Sequence, residues 1–203
     1  LTKERPESFR EAIQLVIIYT MIDGAREWGR MDDYLAPFYV NDLRNGVIDE
    51  EEAIRLLTSF WQLMIAKEQV TDDRVIIGGL GRKHPKEADE LALVIMEVSR
   101  RVRDIVPQLT LRMYEGMDER LYKKAMDCIG EGTTYPMLYQ DENIIPGVMN
   151  VFGISYEEAL NWMPLGCGEF TINHSIIVSP NSVLNLANVL WGTINGGYDA
   201  TGT

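Results

Sequence analysis

The stretch NWMPLGCGEF, residues 161–170, places one of the two cysteines of the chain between two glycines. Glycine adopts backbone angles that a β-carbon forbids, so Gly166 and Gly168 favour a sharp turn or a close backbone contact. In an extended segment, side chains two residues apart point to the same side, and Cys167 and Glu169 would then share one space. That pair would combine a sulfur that can exchange an electron or a hydrogen atom with a carboxylate that can move a proton.

The same residues also have ordinary structural interpretations. A lone cysteine among apolar residues is often just a small buried hydrophobe, and a glutamate is usually a solvated surface group. The local pattern alone leaves both interpretations of Cys167 open. Cys128 lies on a predicted helix with no acid or base pattern around it, and we interpret it as a core residue.

The composition excludes several classes of function. A formal net charge of −12 argues against nucleic acid or an anionic membrane surface as the partner. No apolar run reaches the roughly 20 residues that cross a bilayer, and the N-terminus does not resemble a signal peptide, so a cytoplasmic protein is expected. Two cysteines and two distant histidines, His84 and His174, form no disulfide framework and no zinc motif, so we expect no protein-bound metal.

Hydrophobic periodicity predicts a helix-rich first part followed by alternating strands and helices. A helical stripe follows Pro6, and a strong helix begins at the cap residue Asp49. Beyond residue 70, the predicted strands are RVIIGG at 74–79, QLTLRMY at 108–114 and YPMLY at 135–139, and the predicted helices are 86–105, 118–130 and a proline-interrupted turn at 144–152. This alternation predicts an α/β fold.

Two further helices are predicted on either side of the cysteine stretch. Ser155 and Glu158 have the spacing of a capping box, which opens a short helix expected to run through Trp162. The last helix is predicted to start at Ser179-Pro180, and the residues between the two helices show no helical period. Long non-helical connections in compact domains tend to be functional.

Four segments of the chain resemble the glycyl radical enzymes, the pyruvate formate-lyase-like superfamily, and they occur in the family's order. The segment from GRMDDYLAPFY to Trp61 resembles the family's hallmark helical segment, and residues 107–146 resemble the strand–helix–strand that follows it. SYEEALNWMPLGCGEF falls where the family carries a Gly-Cys-x-Glu active-site loop, and VLNLANVLWGTINGGYDATG resembles the helix and turn after it. The resemblance covers nearly the whole chain.

This resemblance implies a fold and two site residues. The fold would be part of an α/β barrel whose two half-sheets are wrapped by helices and whose cysteine loop enters the middle. Residues 1–203 would be a single piece of that domain, with a helical segment at 1–70 and the strand/helix part of the barrel at 71–203. Cys167 would be the thiyl-radical residue that abstracts a hydrogen atom from the substrate, and Glu169 the acid/base residue of the dehydratase/lyase branch.

The resemblance also implies a cofactor and partners. The family's radical-bearing glycine, in an Arg-Val-x-Gly context, has no counterpart here, so we expect an internal piece without the C-terminal glycyl radical domain, inactive unless that part is supplied. No cofactor would be bound directly. A separate iron–sulfur, S-adenosylmethionine-dependent activating enzyme would install the glycyl radical, and the full-length protein would be a homodimer acting on a small-molecule substrate.

Departures from the family pattern narrow the expected reaction. Pyruvate formate-lyase has two adjacent cysteines in this loop, whereas Gly166 precedes Cys167 here, which disfavours formyl or acetyl transfer and favours elimination from a small hydroxylated substrate. Ser179-Pro180-Asn181 stands where dehydratases of small diols commonly carry an aspartate. A radical decarboxylase or another branch therefore stays open, and no substrate-binding residue is predicted.

Three functions outside this family also stay open. Cys167 could be a thiolate nucleophile activated by His174, as in an acyl transferase or hydrolase, although no third orienting group is evident. The acidic run at 49–52 could belong to a non-catalytic helical binding module, although such a run normally serves the helix dipole. GGLGRKHP at 78–85 is a weak candidate for a nucleotide site, because the third glycine of the dinucleotide motif is missing.

Overall fold

A four-stranded sheet, a layer of helices and a β-hairpin form the computed structural model, which describes residues 4–23, 27–67, 73–166, 168–173, 175 and 186–198. The helices are α1 Phe9–Asp23, α2 Met31–Arg44, α3 Glu50–Ala66, α4 Pro85–Val102, α5 Glu119–Gly130, α6 Asp141–Phe152, α7 Tyr156–Ala159 and α8 Leu186–Ile194. The strands are β1 Glu27–Arg30, β2 Arg74–Gly78, β3 Gln108–Met113, β4 Met137–Gln140, β5 Trp162–Leu165 and β6 Glu169–Ile172.

The central sheet has the strand order β1-β2-β3-β4, and all three pairings are parallel. Side chains alternate between the two faces of a strand, and the two faces of this sheet differ in chemistry. Val75, Ile77, Leu109 and Leu111 face the helical layer and belong to the main hydrophobic core. The opposite face carries polar residues that are also fully buried, namely Arg74, Thr110 and Arg112.

The helical layer follows the amphipathic pattern of the sequence. The side chain of Asp49 accepts a hydrogen bond from the backbone N–H of Glu52 at 2.8 Å, which caps α3 as predicted. The predicted apolar stripes of α3 and α4 pack in the main core, except Ile105, which was predicted to be buried but lies beyond the end of α4 and is exposed. Helix α4 ends at Val102, three residues before the predicted end, because Arg103 adopts a left-handed conformation with φ of 56°.

The sequence analysis was wrong at two other elements. The short strand β1 was not predicted within the helical segment 1–70, since four residues carry too little periodicity. The capping box at Ser155 is present, but α7 ends at Ala159 and Trp162 opens β5 instead of closing a helix. Tertiary contacts explain this difference, because the buried indole of Trp162 donates a hydrogen bond to Asp141. The predicted helix start at Pro180 lies outside the described residues.

The other predicted strands and helices that fall on described residues are confirmed. Strands β2, β3 and β4 and helices α1 and α5 lie where the sequence places them, and the predicted turn at 144–152 is the greater part of helix α6. Cys128 is buried, and that burial raises the pKa of its thiol. No helix among the described residues is long and apolar enough to cross a bilayer.

Candidate active site

The described residues on either side of Cys167 form an antiparallel hairpin. Strands β5 and β6 pair Trp162 with Ile172 at one end and Leu165 with Glu169 at the other. The two glycines of the turn have φ of +54° and +126°, angles that side chains rarely adopt, and the N–H of Gly168 donates to the carbonyl of Leu165 at 3.0 Å. Cys167 and His174 lie outside the described residues.

The two faces of this hairpin meet different surroundings. Trp162, Phe170 and Ile172 share one face and pack with Tyr139 and helix α6 in a second hydrophobic cluster. The ring centroids of Trp162 and Phe170 are 5.4 Å apart, and those of Tyr139 and Trp162 are 5.7 Å apart. By strand alternation, Glu169 lies on the other face together with Met163, whose sulfur approaches Gly29 of β1.

The base of the hairpin is fixed by a buried ion pair. Arg112 on β3 donates through Nε and Nη2 to the two carboxylate oxygens of Asp141, both at 2.9 Å, and neither side chain is exposed. Its Nη1 donates to the carbonyl oxygens of Leu160 and Trp162 at 3.2 and 2.9 Å. The guanidinium also lies 4.5 Å from the centre of the Trp162 ring. Burial lowers the pKa of Arg112, and Asp141 opposes that effect.

The tip of the hairpin contacts a second arginine of the same sheet face. Arg74, the first residue of β2, donates through Nη2 to the carbonyl of Gly166 at 2.5 Å. Leu160, just before β5, instead lies against Gly81, beyond the end of β2. Strand β5 therefore runs opposite to β2 across the polar face of the sheet, and its tip is near the amino end of β2.

Glu169 is partly buried beside this tip. Its Oε2 atom is shielded from solvent and has no hydrogen-bond partner in the part of the chain that the structure describes. An unpaired buried carboxylate oxygen costs free energy, so such atoms in native proteins often mark functional groups. The burial of this oxygen argues against a fully solvated surface carboxylate at Glu169.

The glycine loop at 78–85 is filled by protein groups. The N–H groups of Gly78 and Leu80 donate to Asp32 and Asp141, both at 2.7 Å, so neither is available for a phosphate. Arg82 from the same loop pairs with the carboxylates of Asp32 at 3.1 Å and Asp89 at 2.7 Å. Burial raises the pKa of Asp32 to about 6 against the opposing charge of Arg82. This loop supports the fold and gives no nucleotide site.

The described residues contain no cluster of side chains that could bind a metal ion. Three or more His, Cys, Asp or Glu side chains in a metal-binding arrangement do not occur there. The acidic run at 49–52 is the exposed first turn of α3, where negative charge favours the helix dipole. Neither observation adds a second candidate site.

Sequence reasoning missed the residues that support the hairpin, namely Arg74, Arg112 and Asp141. A signal was present, because each arginine lies in a predicted strand on the face opposite its apolar neighbours. A charged residue at such a position must find a buried partner or reach solvent. The partners lie 29 and 92 residues further along the chain, so the sequence could indicate the need for them but not their identity.

Comparisons with known proteins agree with this architecture. Residues 1–203 match the model of the pyruvate formate lyase-like family. A protein of Escherichia coli (strain K12) named "Probable dehydratase YbiW" is 27% identical over 99% of this chain and 28% of its own length. The 4-hydroxyphenylacetate decarboxylase glycyl radical subunit of Clostridioides difficile is 31% identical over 83% of this chain and 21% of its own length.

A solved structure gives the same result for the fold. The glycerol-bound B12-independent glycerol dehydratase from Clostridium butyricum superposes with a TM-score of 0.73 at 25% identity, covering 97% of this chain and 27% of that one. The chain thus spans less than a third of the length of these relatives. Its fold is part of the α/β barrel that the resemblance implied, and the chain belongs to the pyruvate formate lyase-like family.

Proposed function

We propose that this chain supplies the thiyl-radical loop of a glycyl radical enzyme of the dehydratase/lyase type, with Cys167 and Glu169 as its catalytic residues. One observation carries the proposal. Gly166 and Gly168, the two neighbours of Cys167 in the sequence, lie at the tip of a hairpin across the buried polar face of a parallel sheet, and Oε2 of Glu169 is shielded and has no hydrogen-bond partner among the described residues. Such a site combines a hydrogen-atom carrier with a proton carrier.

The first step is a hydrogen-atom transfer. In this family a glycine-centred radical supplies the unpaired electron, and the hydrogen atom leaves the sulfur of Cys167. Cys167 then takes a hydrogen atom from the substrate carbon that carries a hydroxyl group. The C–H bond breaks, the S–H bond forms, and the unpaired electron stays on the substrate carbon.

The second step is an elimination assisted by a base. The hydroxyl group on a radical carbon is more acidic than an ordinary alcohol, and Glu169 accepts its proton while the C–O bond on the adjacent carbon breaks. The departing hydroxide and that proton together make one water molecule. Cys167 then returns its hydrogen atom to the carbonyl-bearing radical, so one water is lost without net oxidation. Acid–base help of this kind contributes roughly 10²–10⁴ in rate.

This chemistry also requires that solvent be excluded, because carbon and sulfur radicals react unselectively. The structure shields the described part of the hairpin from solvent on two sides. Trp162 and Ile172 are buried against α6, and the sheet face beneath the hairpin carries the fully buried Arg74 and Arg112. The rest of the enclosure is proposed to come from the parent protein.

The relatives suggest the substrate class. Gly166 stands where an acyl-transferring member carries a second cysteine, so we propose elimination from a small hydroxylated molecule. A radical decarboxylase is the second candidate, because the 4-hydroxyphenylacetate decarboxylase subunit is 31% identical to this chain. A separate S-adenosylmethionine-dependent activating enzyme, a homodimeric parent protein and a cytoplasmic location complete the proposal.

The test uses the full-length protein, activated anaerobically by its activating enzyme, with glycerol, propane-1,2-diol and 4-hydroxyphenylacetate as probes. We expect Cys167→Ala and Glu169→Gln to abolish turnover of the accepted probe, because each change removes one of the two transfers. Cys128→Ala is the matched cysteine control, and its kcat should equal that of the unmutated protein. Product analysis distinguishes loss of water from loss of carbon dioxide.

A nucleophilic mechanism gives the opposite pattern. If Cys167 were a thiolate activated by His174, the enzyme would turn over in air, His174→Ala would abolish activity and iodoacetamide would trap the cysteine. The radical mechanism predicts instead that His174→Ala keeps substantial activity. Retained turnover in activated Cys167→Ala would contradict the proposal outright.

A further inference from the structure

Arg74 is a wholly buried arginine on the sheet face that lies beneath the hairpin. Its side chain is 0% exposed, and it begins a strand whose other residues are aliphatic or glycine. Nη1 donates to Oγ1 of Thr110 at 2.7 Å and approaches the sulfur of Met137 at 3.4 Å. Nη2 donates to the side-chain oxygen of Gln108 and to the carbonyl oxygen of Gly166.

The charge of Arg74 is not matched by a carboxylate in the described residues. Among the described residues, the ion pairs in which both side chains are buried join Arg82 to Asp32 and Asp89, and Arg112 to Asp141. Arg74 instead meets the neutral oxygens of Gln108 and Thr110 on β3 and of Gly166 at the tip of the hairpin. Burying a cation against neutral acceptors is costly, so a purely structural role at this position would be served better by an apolar residue.

We propose that Arg74 is a positioning residue that fixes the tip of the cysteine hairpin for reaction, an inference that rests on the proposed function. The contact point carries the inference, because the carbonyl that Arg74 binds belongs to Gly166, the residue directly before Cys167. A guanidinium has a rigid fork of donors. One arginine can therefore tie the sheet residue Thr110 and the tip residue Gly166 into a single arrangement.

Two features separate this role from substrate binding. Both terminal nitrogens of Arg74 already donate to protein oxygens, and no part of the side chain is exposed. A substrate would have to displace those bonds to reach the charge. The arginine therefore acts through the hairpin. Its loss should lower the rate of the chemical step, because a reacting group misplaced by about 1 Å can lower that rate roughly 10²-fold.

The test compares Arg74→Met and Arg74→Lys in the full-length protein, with Arg55→Met as the control. Arg55 is an exposed arginine of α3 that pairs with Glu52, so its loss leaves the hairpin untouched. Hydrogen exchange of the peptide that spans 165–172 reports the tip without any turnover, since the N–H of Gly168 is bonded to Leu165 within the turn. A peptide from α3 reports global stability.

We expect exchange of the tip peptide to be at least about tenfold faster in Arg74→Met, with α3 unchanged. Arg74→Lys keeps the charge but cannot make both contacts, so the exchange rate of its tip peptide should lie between those of Arg74→Met and the unmutated protein. At equal glycyl radical content by electron paramagnetic resonance, kcat should fall roughly 10²-fold while KM stays within about threefold. Arg55→Met should match the parent in all three measurements.

Parent-like exchange at the tip of Arg74→Met would overturn the inference, and so would a raised KM with an unchanged kcat, which would indicate a substrate contact. If Arg74→Met does not fold, Thr110→Val decides, because valine keeps the shape of threonine and removes the oxygen that orients Arg74. Faster tip exchange in that variant supports the inference, and unchanged exchange overturns it. Turnover by Cys167→Ala would refute the proposed function alone, since the exchange result does not depend on it.

Discussion

At the scale of single residues, Gly168 is a position where the hairpin tip tolerates little change. Its φ of +126° lies in a region that side chains rarely adopt, and an added β-carbon would lie 3.2 Å from the hydroxyl oxygen of Tyr139. Strain and crowding therefore act together on the residue directly after Cys167. The same hydroxyl belongs to the ring that packs on Trp162 and Phe170, so it has little room to move away.

Replacement of Gly168 by alanine tests this account in the full-length protein. Gly168→Ala should lower kcat on the order of 10²-fold by displacing the tip. Gly132→Ala is the matched control, because Gly132 also has a positive φ, of +82°, but nothing lies within 4 Å of its missing β-carbon. Both variants should lose roughly 1–2 kcal/mol of stability from backbone strain, so equal losses of activity in the two would refute a special role for Gly168.

At the scale of elements, the hairpin is held at both ends by side chains of the sheet. Arg112 and Asp141 bind its base, and Arg74 binds its tip. These contacts join segments far apart in the chain, so the position of the hairpin depends on the folded sheet. The element that carries the chemistry therefore depends on charges buried in the sheet.

The Arg112–Asp141 pair gives a prediction at this scale. Asp141→Asn should destabilise the protein by about 3–5 kcal/mol, because it leaves the buried guanidinium of Arg112 without its counter-charge. Asp127→Asn is the control, since Asp127 pairs with Lys123 in an exposed i,i+4 contact and should cost no more than about 0.5 kcal/mol. The test compares the melting temperatures of the two full-length variants. Equal decreases in melting temperature would contradict the anchoring role of the Arg112–Asp141 pair.

The elements also show why some features follow from sequence and others do not. Helices α3 and α4 are long enough for a 3.6-residue period to repeat several times, and both were predicted, although α4 ends three residues early. Strand β1 and the hairpin strands have four residues each, and long-range partners fix their positions. Trp162 shows the consequence, because its local pattern continued a helix while its contact with Asp141 places it in a strand.

At the scale of the whole molecule, the prediction of the family was more secure than that of the site. The order of segments along the chain indicated the pyruvate formate lyase-like superfamily, and the family match over residues 1–203 confirms it. The pairing of Cys167 with Glu169 stays a prediction. Helix α8 exposes a large apolar face, with Leu186, Val189, Leu190, Trp191 and Ile194 on its surface. Faces of this kind normally contact other protein, so experiments on the site belong in the full-length protein.

The central claim is that the sulfur of Cys167 and the carboxylate of Glu169 face one closed chamber. A crystal structure of the full-length protein with its accepted probe bound measures this directly. Our account predicts that the sulfur lies roughly 3–4 Å from the probe carbon that loses hydrogen, as expected for a near-attack geometry, and that Glu169 binds the hydroxyl of the same probe. A sulfur packed among aliphatic side chains, with Glu169 turned towards solvent on the other side, would contradict it.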